Sequence, residues 1–141
     1  MAPFSKKIAL PISLLLTLIV ALHFNGCESG LFSKTKVEVF NKLPNNHKLG
    51  LHCKDKHHDL GAQTLEPNQS WSFRFLPDIF HDVTLYFCRF YWVSGDHFFD
   101  IYVQDRDKSI GHYQPWNITE SGPCRHRWDL NSDQCFYWNK A

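Results

Sequence analysis

Four cysteines, Cys53, Cys88, Cys124 and Cys135, carry the plainest covalent chemistry in this sequence, and that chemistry is oxidation in pairs. A fifth, Cys27, stands close to the N-terminus. An even set in an exported chain reads as two disulfides rather than as a catalytic thiol or a zinc set. Three pairings are open to four cysteines. The expectation is Cys53–Cys124 with Cys88–Cys135, which fastens the loop-rich C-terminus to the central strands. Among the 9 histidines, the densest group is His57-His58-Asp59 with His52 nearby. Zinc needs three or four ligands converging on one point, whereas adjacent histidines on an extended segment point apart. The group therefore reads as a solvated polar loop. Asp105-x-Asp107-x-Ser109 begins like a calcium loop, but Ile110 stands where glycine is needed and Trp116 where the bidentate glutamate belongs. No metal and no cofactor is expected. Asp105 and Asp107 lack apolar sequence neighbours that would raise a carboxyl pKa for acid–base work. The chain has no G-x-S-x-G, H-E-x-x-H or glycine-rich phosphate loop, so the reading is not an enzyme.

Disulfides imply a compartment, and the N-terminus supplies one. Lys6 and Lys7 precede an apolar run over residues 8–22, interrupted by Pro11, Ser13 and Thr17. At about 15 residues it is too short to span a bilayer and has the layout of a secretory leader. Residues 1–29 are expected to form a signal peptide cleaved after Ser29, which also removes the odd Cys27. Residues 30–141 then form one domain, secreted, extracellular and monomeric, with no stable membrane insertion. Two sequons, Asn68-Gln69-Ser70 and Asn117-Ile118-Thr119, become glycosylation candidates in that pathway.

The elements that position these groups read as strands. In Lys36-Val37-Glu38-Val39-Phe40 the valines share one face. Leu49, Leu51 and Cys53 alternate with polar or small residues, as do Trp71, Phe73 and Phe75, and again Phe99, Ile101 and Val103. Residues 83–93 are apolar on both faces, the pattern of a central strand. Phe90, Tyr91 and Trp92 place large rings on both sides of it. Glu66-Pro67-Asn68-Gln69 and Ser94-Gly95-Asp96 read as hairpin turns, Gly95 supplying a positive φ. Residues 105–123 show little strand pattern and read as a long loop, followed by short strands near 125–131 and 135–139. The fold class is all-β, a small antiparallel β-sandwich stapled by two disulfides. A 16% aromatic content excludes disorder, and a net charge of +1 argues against a nucleic-acid binder.

The residues also carry a resemblance. Val39-x-Asn41-x-Leu43, Leu51-His52-Cys53-Lys54-x-Lys56-x-x-Asp59-Leu60-Gly61, Trp71-x-Phe73-x-Phe75, Thr84-Leu85-x-Phe87-Cys88-x-Phe90-x-Trp92 and Phe99-Asp100-x-Tyr102 follow in order. This run, from about Val37 to Val103, resembles the plant self-incompatibility S1 family. The family's C-terminal Cys-x-Trp is absent, since tryptophan follows Cys124 only at Trp128 and Cys135 only at Trp138. The resemblance implies a secreted β-sandwich acting as an extracellular recognition ligand for a cell-surface receptor, in the way founding members trigger rejection of self pollen. The candidate partner-binding loops are Lys54, Lys56, His57, His58 and Asp59, and the sign-alternating Asp105, Arg106, Asp107 and Lys108. The alternative is a secreted defence or glycan-binding module using exposed aromatics such as Trp116.

Overall fold

A computed structural model describes residues 33–140 of the chain; the expected leader lies outside the described residues. Nine strands follow in order: β1 (Thr35–Asn41), β2 (Leu49–Lys54), β3 (Asp59–Leu65), β4 (Ser70–Phe75), β5 (Leu85–Trp92), β6 (Gly95–Val103), β7 (Tyr113–Thr119), β8 (Gly122–Arg127) and β9 (Ser132–Cys135). One helical turn, α1 (Gln104–Asp107), follows β6. The strands form a five-stranded sheet ordered β4-β1-β7-β8-β9 and a four-stranded sheet ordered β3-β2-β5-β6.

Alternation places the core where the sequence puts it. Val37 and Val39 of β1 face inward with Phe73 and Phe75 of β4, against Leu49, Leu51, Phe90 and Ile101 of the other sheet. A side chain on each second residue of a strand suffices for this, because successive residues point to opposite faces. β5 lies inside its sheet, flanked by β2 and β6; Tyr86, Cys88 and Phe90 fill the core from its inner face, while Leu85, Phe87, Arg89 and Tyr91 alternate on the outer face, exposed or half-buried. Asn41 is buried and fully used. Its amide donates to the carbonyls of His47 (2.9 Å) and Leu65 (3.1 Å), and its oxygen accepts the Leu43 N–H (3.0 Å). The Val39-x-Asn41-x-Leu43 element is thus a strand end that closes its own turn.

Four expectations are corrected. Residues 105–123 are not one long loop, because β7 and the start of β8 lie within them. β7 hides its pattern because buried Gln114 opens the inward face that Trp116 and Ile118 continue; the Gln114 amide donates to the carbonyls of Asp107 (3.1 Å) and Gly111 (2.8 Å). The sandwich is not wholly antiparallel, since β1 and β7 run parallel, with Val39 opposite Trp116. The disulfides pair Cys53 with Cys88 and Cys124 with Cys135, each with Cα atoms 4.0 Å apart. Each pair sits directly opposite in one ladder, β2–β5 and β8–β9, so each bridge ties neighbouring strands of one sheet rather than joining the two sheets. Gly95 does not carry the positive φ. Its missing side chain instead makes room for the Trp92 ring, whose Cζ2 would lie 2.2 Å from a Cβ there.

The chain after β9 crosses from one sheet to the other. The Phe136 N–H donates to the Pro123 carbonyl (2.9 Å) and the Asn139 N–H to the Phe98 carbonyl (2.8 Å). Between them Trp138 packs near Phe90 and Trp92 and stacks on His97, ring centroids 4.8 Å apart. This strap covers the sandwich edge, a job side chains of β9 are too few to do.

Candidate functional site

The ladder registers put four connections at one end of the sandwich: β2–β3 (residues 55–58), β4–β5 (76–84), β6–β7 with α1 (104–112), and β8–β9 (128–131). The two charged loops singled out from sequence therefore lie at the same end. This loop end is held by side chains, and each brace can be read from its residues.

In the β2–β3 loop the Asp55 carboxylate accepts the His57 N–H (2.8 Å) and the His58 N–H, and lies 3.1 Å from the His58 ring. This local capping of backbone by aspartate is what short polar side chains do in turns. Lys56, His57 and His58 are left facing water. The Asp59 carboxylate accepts the Gly61 N–H (2.9 Å) and meets His52 Nε2. Those contacts hold it well below the usual carboxylate range, the Gly61 N–H first and His52 second. Gly61 has φ +78°, so Asp-Leu-Gly is a strand start that needs all three residues. Tyr86, next to this loop, is pushed up to about 12, by burial first and then by the Asp55 charge.

The β4–β5 loop is braced as closely. The Asp78 carboxylate accepts the N–H groups of Phe80 (2.9 Å) and His81 (3.1 Å). Gln104, buried at the start of α1, donates from its amide to the Asp78 carbonyl and accepts the Thr84 N–H (3.1 Å). Lys108 pairs with Asp82 at 2.7 Å. The outcome is a spur on which Phe80 is 82% exposed and Val83 62% exposed.

The β6–β7 segment divides the sign-alternating quartet. Asp105 and Lys108 face solvent. Asp107 is fully buried, which corrects its assignment to a partner-binding surface. Its carboxylate accepts the Val103 N–H (2.9 Å), Arg106 Nε (2.7 Å) and Arg125 Nη1 (2.8 Å). The arginines that bind it lie against aromatic rings: the Arg125 guanidinium is 4.7 Å from the Trp116 ring centroid, and Arg106 lies over Phe99, Trp116 and Phe136. Burial pushes the Arg125 guanidinium below its usual range, and Asp107 opposes that shift. Arg106 is half-buried beside it, donating to both Asp107 carboxylate oxygens and to the Asp100 carbonyl (3.0 Å), and so helps to fix the loop. Trp116 is fully buried, which removes it as a glycan-stacking platform.

Sequence reasoning missed Phe80 and Gln104, and it placed Val83 and Val93 in the central strand, which runs only from Leu85 to Trp92 and leaves both exposed. The signal for the spur was present: Pro77, Asp78 and Asp82 around Ile79-Phe80 mark a turn too polar to bury those side chains. The sequon residues are exposed away from the loop end, Asn68 (φ 64°) in the β3–β4 turn at the opposite end and Asn117 on the outer face of β7. Among the described residues, no group of three or more His, Cys, Asp or Glu side chains is placed to hold a metal ion, and no helix is long and apolar enough to cross a membrane.

Residues 36–138 match the family described as plant self-incompatibility protein S1. The match reaches past Val103, so the C-terminal strands and strap belong to the family pattern too. The chain is 39% identical to S-protein homolog 19 of Arabidopsis thaliana over 96% of this chain and 97% of that protein. It is 42% identical to S-protein homolog 20 over 93% of this chain and 94% of that protein, and 44% identical to S-protein homolog 2 over 77% and 71%, both also from Arabidopsis thaliana. With two sheets, paired cysteines and the motif residues in the places described, the chain belongs to the plant self-incompatibility S1 family.

Proposed function

We propose that this protein is a secreted extracellular recognition ligand, read by a cell-surface receptor through the loop end, in signalling of the pollen–stigma self-incompatibility type. The observation that carries the reading is the loop end itself. The exposed residues Lys54, Lys56, His57, His58 and Asp59 share it with Asp105, Lys108 and Phe80, on loops braced by Asp55, Asp78, Gln104 and Asp107. Residues on preorganised loops lose little freedom on binding, which favours recognition over simple solvation. Exposed charges of this kind set partner choice and association rate more than affinity. The leader over residues 1–29 delivers the chain to the oxidising space its disulfides need, and the sequons at Asn68 and Asn117 leave the loop end uncovered when glycosylated. The ligand acts as a monomer and without catalysis.

The test is a pollen-inhibition bioassay with Lys56→Ala and Asp105→Ala, both folded as judged by circular dichroism. Altered inhibition by the loop variants supports the reading. Unchanged inhibition by both, alongside loss of activity in core variants, overturns it.

A further inference from the structure

Histidines gather at the loop end. His57 and His58 lie in the β2–β3 loop, His81 in the β4–β5 loop and His112 in the β6–β7 loop, while His52 and His126 stand within two residues of the loop-end termini of β2 and β8. Of the described histidines, only His47 and His97 lie elsewhere. Four of the six sit against aspartates: His52 at Asp59 (2.5 Å), His58 at Asp55 (3.1 Å), His81 at Asp78 (3.4 Å) and His126 at Asp133 (2.8 Å). His52 also faces Arg89 across the β2–β5 ladder. The His57 ring lies edge-on to that of His58, centroids 6.5 Å apart, and the His126 ring lies edge-on to Trp128 at 4.3 Å. The Lys108–Asp82 pair flanks His81 in its own loop, and His112 is exposed beside Tyr113. The same end carries an apolar spur, Leu76, Phe80 and Val83, 49%, 82% and 62% exposed, and in the β8–β9 loop Trp128 and Leu130, 81% and 61% exposed.

We propose that the loop end docks an acidic protein surface with an apolar centre, Phe80 entering that centre, and that docking tightens on acidification. Deepening the loop-end reading in this way, the inference rests on it. Imidazole is the side chain that changes charge between about pH 5 and 8. Each protonation adds one positive charge to this end, whether or not an aspartate lies beside the ring. With neutral imidazoles, the aspartates here are near balance with Lys54, Lys56, Lys108 and the flanking Arg74 and Arg127; each charged imidazole tips that balance one unit towards positive. An acidic partner is then attracted and a basic one repelled. A protein fits better than an anionic bilayer. Asp78 and Asp82 flank Phe80 at two residues on either side, the first occupied by the Phe80 and His81 N–H groups and the second by Lys108; a protein that keeps its acids at the rim of an apolar pocket avoids them, whereas a continuous sheet of lipid phosphates does not. The Asp78 turn fixes the spur, so seating Phe80 costs little ordering entropy.

The probe is a synthetic peptide with glutamates around a central Leu-Trp pair. A lysine counterpart and phosphatidylserine-containing vesicles serve as controls. Binding to the oxidised, full-length secreted chain is measured at about pH 5.5 and about pH 7.5. Affinity for the acidic peptide is expected to rise about tenfold on acidification. The rise should shrink to about twofold or less in H57Q/H58Q/H81Q, and Phe80→Ser should lose binding at both pH values. Equal affinity at both pH values, equal binding of the lysine peptide, or binding to vesicles without binding to peptide overturns the inference. If affinity is pH-independent yet Lys56→Ala still alters the pollen bioassay, this inference falls and the proposed function stands. If loop variants change neither, both fall.

Discussion

Replacing Asp107 with alanine is expected to cost far more than replacing any other acid of the β6–β7 segment. The carboxylate is fully buried and accepts from Val103 N, Arg106 and Arg125. Arg106 keeps some access to water, its side chain being 26% exposed, but Arg125 is only 2% exposed. Without Asp107 the Arg125 guanidinium keeps Gln134 and Gln114 as acceptors and no buried counter-charge among the described residues. Removing one partner of a buried ion pair costs about 3–5 kcal/mol. For a domain of this size that lowers the melting temperature on the order of 15–25 °C. Thermal unfolding followed by near-ultraviolet circular dichroism measures it, because Trp116 lies directly beneath Arg125. If the penalty is the orphaned charge, Arg125→Met in the Asp107→Ala background should recover at least about half of the loss. A melting temperature for Asp107→Ala within a few degrees of the parent, or a double variant as unstable as the two single losses added, refutes the reasoning.

Mild reductant should open Cys124–Cys135 before Cys53–Cys88, since Cys135 is exposed and Cys53 and Cys88 are both fully buried; alkylation with mass spectrometry gives the order. By loop size, 11 against 35 residues apart, the two contribute about 3 and about 4 kcal/mol, so the second step should unfold the domain more completely. Tyr113→Phe removes the hydroxyl that donates to Glu38 at 2.7 Å and is the chief cause holding its carboxyl below the usual carboxylate range, with Ser70 and Lys36 helping. A depressed folded pKa stabilises above the unfolded value and is lost as pH falls through the folded one. The variant should therefore lose about 1 kcal/mol at neutral pH and converge on the parent once Glu38 is protonated in acid; a gap that persists in acid contradicts this in denaturant titrations. Gly122→Ala places a Cβ 2.1 Å from the Phe136 carbonyl oxygen at φ +146°. It should cost at least about 2 kcal/mol and loosen the strap, whereas a loss under about 0.5 kcal/mol counts against the strap's tight seat.

What was legible follows from what local pattern can carry. Lys36-Val37-Glu38-Val39 declares one buried face by itself, and the two-sided apolar run of β5 declares a central strand. Both charged loops are visible as polar stretches between strands. The rest depends on partners far away in sequence. Gln114 looks polar until Asp107 and Gly111 offer it carbonyls, so β7 passes for loop. Asp107 and Asp105 look alike until Arg125, eighteen residues on, claims one of them. Cysteine connectivity depends on ladder register, which puts Cys53 opposite Cys88. A parallel β1–β7 pair leaves no turn signal, because its strands are joined through the whole of the other sheet.

Saturable binding of the labelled, oxidised protein to intact pollen tests the central claim most directly. The variant K56A/H57A/F80S at the loop end is compared with K48A/E66A, an ion pair at the opposite end (3.3 Å). The account predicts a loss of about tenfold or more in affinity for the first and parental affinity for the second. Equal binding by both variants, or loss confined to the opposite end, contradicts it.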